Sequence, residues 1–170
     1  QPVHQIVVNY QDKPAYKNRV LIARIWKDFL FSNAVSIWGA IPTEAALNGT
    51  PSVAYQKEED IYYKLLNDLK GLADSIDLQG DKYTAIADKI YGGDLLKWKK
   101  FANTLRLRLA MRISMANPAV AQQVVEELSA NEQFTIQAET ETARATWDKT
   151  SSDTWSPLYD RVVYNYTANK

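Results

Sequence analysis

The 170-residue chain has no cysteine, which excludes disulfides, thiolate metal centres and cysteine nucleophiles. It has one histidine, His4, which reads as a surface residue rather than a base or a metal ligand. Glycine and proline number six each, too few for a turn-rich β architecture. No apolar run approaches the roughly eighteen residues of a membrane span. Neither sign of charge is in excess: 20 Lys and Arg face 20 Asp and Glu. The chain as a whole is therefore not drawn to nucleic acid or to an anionic membrane, and any basic patch is local. The opening QPVHQIVVNYQD lacks the charged start and apolar core of a signal peptide. It also lacks an initiating Met, which reads as a processed chain or a fragment, as does the ending RVVYNYTANK.

What is present is a globular composition, 46% hydrophobic and 24% charged, with ten tyrosines and five tryptophans. Four helices are expected. The first runs from about Lys13 to Trp38, with Asp12 as cap, Pro14 in the first turn and Gly39 as terminator. Leu21, Ile22, Ile25, Trp26, Phe29 and Leu30 form its apolar stripe, and Arg19, Arg24, Lys27 and Asp28 face out. The second, about Lys57 to Ile76, buries Ile61, Leu65, Leu69, Leu72 and Ile76. Glu58, Glu59 and Asp60 fill its first turn, where acids complement the helix dipole. They point about 100° apart, which favours capping over a metal site. A short extended piece is expected at Thr84–Ile86 between the second and third helices.

The third helix, about Asp94 to Ala116, lies within IYGGDLLKWKKFANTLRLRLAMRIS. Asp94 caps it after Gly92 and Gly93. Leu95, Trp98, Phe101, Ala102, Leu105, Leu109 and Ile113 share one wide face, with Leu96, Leu107, Ala110 and Met111 roughly opposite. This predicts burial on two sides. Its six cations, Lys97, Lys99, Lys100, Arg106, Arg108 and Arg112, form no single stripe, which speaks against both a nucleic-acid helix and an interfacial membrane helix. They are expected to lie over apolar neighbours and reach carboxylates of adjacent helices, Arg112 above all needing a buried acid. Asn117 and Pro118 start a fourth helix to about Ala130, closing an antiparallel helical hairpin. Residues 131–170 read as loops and short extended segments. The chain is thus all-α, a single domain or a fragment of one, with helix pairs over about 13–76 and 94–130.

The Ile90–Ser114 stretch closely resembles the signature helix of the SusD/RagB-like outer-membrane nutrient-binding lipoproteins of Bacteroidetes. The matching residues are Tyr91, Gly92, Gly93, Asp94, Lys97, Trp98, Phe101, Ala102, Asn103, Leu105, Arg106, and Arg108 to Ile113. RVLIARIWKDFLFSNAVSIWGAIPTEAA is similar to that family's earlier helix and loop, with Ala40 where an acid often sits, and WSPLYD to a later element, with Ser156 in place of Asn. The resemblance implies a tetratricopeptide-like α-α superhelix with irregular loops, within a larger SusD-like fold of which this chain is an internal part. Residues absent from this chain would then cover more of the third helix. It further implies non-catalytic glycan binding at the cell surface, lipid anchoring through a segment outside this chain, and delivery of oligosaccharide to a SusC-like TonB-dependent transporter for polysaccharide utilisation. No cofactor, metal or nucleic acid is implied. The signature residues are scaffold, so no binding residue carries over.

Sugars are held by flat aromatic faces together with carboxylates, amides and Arg at the hydroxyls. The candidates are aromatics off the core stripes: Trp147, Trp155 and Tyr159 with Asp153 and Arg144 nearby, and Trp38 beside the 39–56 loop. Trp26 and Trp98 lie on apolar stripes and read as core. A glycosidase needs two opposed carboxylates at a set separation, and neither Asp148 nor Asp153 is marked as acid or nucleophile by spacing. The alternative to glycan binding is a helical-repeat scaffold that presents a concave surface to a protein partner.

Overall fold

A computed structural model of the chain describes residues 2–49, 52–145, 147, 150, 155, 156 and 158–164. Among these there is no strand; one antiparallel bridge joins Ile41 to Gln56. Helices α1 (Pro2–Tyr10) and α2 (Lys17–Trp38) come first, then the single turn α3 (Glu44–Leu47). α4 (Glu58–Ser75), α5 (Leu95–Arg112) and α6 (Pro118–Ser129) follow, so the all-α expectation holds. α4 packs on both α2 and α5, and α6 covers α5. Arg106 meets Glu127 while Asn103 reaches Phe134, so the chain runs back antiparallel along α5.

α1 is an addition to the sequence reading. Its Val and Ile are weak helix formers, and nine residues are too few to be stable alone. Val7 is buried in a small cluster with Val20 and Ala23 of α2, and that packing sustains the helix. The expected first helix divides: Pro14–Tyr16 is a 3₁₀ turn, and α2 begins at Lys17. Asp12 is not its cap. The cap comes from Asp81, whose Oδ1 and Oδ2 accept the N–H groups of Asn18 (2.8 Å) and Arg19 (3.3 Å). Asn18 is wholly buried and donates to the carbonyls of Asp77 (2.7 Å) and Asp81 (2.9 Å). Gly39, at a φ of 69°, ends α2 as expected.

The core stripe of α4 is buried throughout, from Ile61 to Ile76. A fully buried Leu such as Leu69 contributes about 1.5–3 kcal/mol. The stripe of α2 differs at three places: Leu30 is exposed, while Lys27 and Asp28 are buried. Lys27 reaches inward to Glu44 of α3 at 2.8 Å. Asp28 keeps one oxygen without a partner, and burial, with the negative charge of Asp68, pushes its carboxyl up to about 7.

The Asp88 carboxylate fixes the start of α5. Its Oδ1 accepts the N–H groups of Ile90 (3.0 Å) and Tyr91 (3.1 Å), and its Oδ2 those of Gly93 (2.9 Å) and the Trp98 indole (2.7 Å). Thr84–Ile86 belongs to this turn-rich approach and forms no strand. Asp94 then caps α5, accepting from the Lys97 N–H at 3.0 Å, and Asn117 caps α6 through Val120 at 3.2 Å. Trp98 stands at the centre of an aromatic cluster, edge-on to Tyr91 (5.2 Å), Phe101 (5.7 Å) and Trp26 (6.2 Å).

The second face of α5 is open: Leu96 and Met111 are exposed and only Ala110 is buried. Among the described residues five of the six cations find partners, Arg106 on a neighbouring helix as expected, but Arg112 does not. Arg112 is exposed; the buried ones are Arg106, paired with Glu127 of α6 at 2.7 Å, and Lys100, paired with Glu141. Lys97 donates to the Thr140 carbonyl (3.1 Å), and Lys99 lies over the Phe134 ring. Residues beyond α6 therefore return across α5 as a strap, with 3₁₀ turns at Glu132–Phe134 and Glu139–Glu141 in place of extended segments. A π-helical turn follows at Tyr159–Tyr164.

A Cβ at Gly93, whose φ is 87°, would lie 2.1 Å from the Tyr83 carbonyl oxygen. Gly93→Ala is expected to destabilise by about 3 kcal/mol or more in urea unfolding. Gly71→Ala, on an open face of α4, should stabilise by about 0.5–1 kcal/mol; equal effects would contradict this assignment. Between roughly pH 4 and 7 folded Asp28 holds a proton that the unfolded chain has lost. The stability from the neutral form is complete below its ordinary 3.8 and is lost as pH rises through 7. Asp28→Asn should therefore gain about 2–4 kcal/mol on the parent chain between pH 4 and pH 8. A difference that does not change with pH would falsify this.

Candidate ligand-binding site

A cavity of about 390 Å³ opens where α1, the start of α2 and the turn before α5 meet. Val3 and Ile6 of α1 form one side and Ile22, Ala23 and Trp26 of α2 another. The third side is the turn, with Tyr83, Ala87, Asp88, Lys89 and Ile90, and Trp98 lies behind it. Ala145 and Trp147 close the rim. Each wall follows from the fold: α1 is placed by Val7 on Val20 and Ala23, and the turn by Asp88. The volume is within the about 300–1,000 Å³ usual for small-ligand sites.

The Asp88 carboxylate faces this space but is engaged by its four donors. Tyr83 donates its hydroxyl proton to the Arg19 carbonyl (3.2 Å), and burial raises its pKa, so it is a neutral phenol with a free oxygen lone pair. Burial, and then the Asp88 charge, pushes Tyr91 up to about 12, and its hydroxyl donates to the Glu141 carbonyl at 2.9 Å. Lys89 is exposed and, among the described residues, has no carboxylate partner. The arrangement has an aromatic rim, aliphatic walls and few open polar groups. It suits an apolar ring face and, among the described residues, holds no pair of opposed carboxylates.

The sequence-derived candidates do not converge. Trp147 is 46% exposed and belongs to the cavity rim. Trp155 and Tyr159 meet edge-on at 5.3 Å, and the Tyr159 N–H donates to Ser156 Oγ at 3.1 Å. Trp38 stands at the far end of α2, about 18 Å along the axis from Trp26, with Ile37 exposed beside it. Arg144 is on the surface with Glu139 at 3.1 Å. Asp153 and Asp148 lie outside the described residues. Tyr83, Lys89, Val3 and Ile6 were not singled out by the sequence; they are spread over some ninety positions and no spacing links them. Trp26, read as core, is half-buried and serves both core and cavity. Glu58, Glu59 and Asp60 occupy the first turn of α4. Among the described residues no group of three potential ligands could hold a metal ion, and no helix is long and apolar enough to cross a membrane.

A family model described as "Starch-binding associating with outer membrane", SusD-like, matches residues 1–168. A chitin-binding protein of known structure is 33% identical with a TM-score of 0.74, over 83% of this chain and 30% of that one. A SusD homologue from Bacteroides uniformis is 30% identical with a TM-score of 0.75, over 98% of this chain and 33% of that one. A SusD homologue from Parabacteroides distasonis shares the fold at 22% identity and a TM-score of 0.74, over 96% and 32%. The chain thus spans about a third of the length of these proteins. These are helical tetratricopeptide-like folds, and the present helix pairs share that architecture. No curated protein matches the sequence.

Proposed function

This chain belongs to the SusD-like family, and from that premise we propose that it is a helical part of a non-catalytic glycan-binding protein of the outer membrane. The observation that carries the reading is the cavity rim, where the accessible indole of Trp147 stands over aliphatic walls. A sugar ring presents one face of C–H groups, which an indole face covers well, while its hydroxyls stay at the edge. The names of its relatives agree, one being a chitin-binding protein and the family being described as starch-binding.

Trp155 with Tyr159, and Trp38 at the other end of α2, are proposed as further platforms for a longer chain of sugars, with Arg144 and Asp153 toward the hydroxyls. Residues 1–170 then act as one unit of a larger protein, lipid-anchored at the cell surface. That protein passes oligosaccharide to a SusC-like TonB-dependent transporter. The family description, with its association to the outer membrane, supports this placement. Glycan capture without cleavage accords with a cavity whose one acid among the described residues, Asp88, is occupied by structural hydrogen bonds.

Isothermal titration of the full chain against starch, cellulose and chitin oligosaccharides should give saturable heat for at least one of them. Trp147→Ala should weaken that binding at least tenfold with unchanged helical content. Unaltered affinity in the variant removes the cavity from the site. Silence for every glycan, alongside stable capture of a protein partner, supports the scaffold reading instead.

A further inference from the structure

We propose that the cavity under Trp147 prefers sugars that carry an acetamido group to sugars that carry only hydroxyls; this rests on the glycan-binding reading above. The reason lies in which polar atoms are open. Asp88 would be the natural acceptor for a sugar hydroxyl, but each of its oxygens already takes two N–H donors. The Trp98 indole N–H is used in the same place. The other walls, from Val3 and Ile6 to Ile22 and Ala23, offer no polar side-chain atom.

What remains open is biased toward donors. Lys89 has no ion-pair partner among the described residues, and neither do the indole N–H groups of Trp26 and Trp147 have an acceptor there. Among the described lining side chains one acceptor keeps a lone pair: the Tyr83 hydroxyl oxygen, whose own proton is committed to the Arg19 carbonyl. Every sugar hydroxyl brings a donor as well as an acceptor. Several buried here would leave donors unmatched, which is costly in an apolar enclosure. An acetamido group brings a carbonyl for the open donors, a single N–H for Tyr83 and a methyl for the aliphatic walls. A carboxylate would also answer Lys89, but it would lose its water against those same walls. The volume suits one or two rings, so the preference concerns a sugar at the cavity and not the length of the chain.

The test compares tetrasaccharides with one β-1,4 backbone by titration with the full chain: acetamido-substituted (chitotetraose), hydroxyl-only (cellotetraose) and deacetylated (the chitosan tetramer). The acetylated compound should bind at least tenfold tighter than either of the others. Tyr83→Phe, which keeps the ring, should reduce that preference at least threefold. Circular dichroism and thermal unfolding check that the variant is folded, and Trp147→Ala should weaken the acetylated ligand most. Equal or tighter binding of the hydroxyl-only compound overturns the preference and leaves glycan binding in place. A preference that survives in Tyr83→Phe overturns the role of that hydroxyl. Silence with all three, and with starch oligosaccharides, overturns the glycan reading itself.

Discussion

One buried carboxylate sets the geometry on which the rest depends. Asp88 gathers three backbone N–H groups and an indole N–H, and so turns six residues of chain into a rigid socket for the first turn of α5. The two glycines that follow Tyr91 have positive φ, and the second lies against the Tyr83 backbone, where no side chain fits. Trp98, held by its indole, places the aromatic cluster; Tyr91 reaches from the socket to Glu141 and ties down the strap. The cavity wall is the outer surface of this same socket. Asp28, by contrast, has one oxygen unpartnered, and its burial pushes it toward its neutral form.

The cations of α5 have a structural explanation that is local and pairwise. Lys97, Lys99 and Lys100 take hold of the strap by a carbonyl, a ring and a carboxylate. Arg106 shares Glu127 with Lys70, so one acid links α4, α5 and α6, and these two cations hold its carboxyl down at about 2. Arg108 donates to Ser32 of α2 at 3.3 Å. A helix with so many basic residues in a neutral chain is therefore a beam that fastens its neighbours.

The elements whose stability is local were legible in the sequence. The α4 stripe, the Asp94 and Asn117 caps, the Gly39 stop and the α5–α6 hairpin follow from periodicity and turn chemistry within a few residues. What was not legible depends on partners distant along the chain. α1 exists because Val20 and Ala23 wait for it, and Lys27 turns inward because Glu44 is there. Arg112 looked closest to the core stripe, yet it falls in the last turn of α5, and the buried cation is Arg106, six residues earlier, paired with the half-buried Glu127. Of the candidate cavity, the sequence marked Trp147, as an aromatic off the helical core stripes. Its companions on the cavity wall belong to three separate segments, so only the folded chain brings them together.

The cap of α2 has a consequence for the order of assembly. The helix begins at Lys17, but the carboxylate that accepts its first N–H groups is Asp81, more than sixty residues on. The first-turn N–H groups of α2 find their protein acceptor only when α4 has formed and returned the 77–81 loop, and Asn18 seals that loop in turn. The start of α2 therefore closes late, after a long loop-closure step whose entropy grows slowly with length. α1 and the mouth of the candidate cavity rest on that same end, so the cavity is complete only when this long-range closure is.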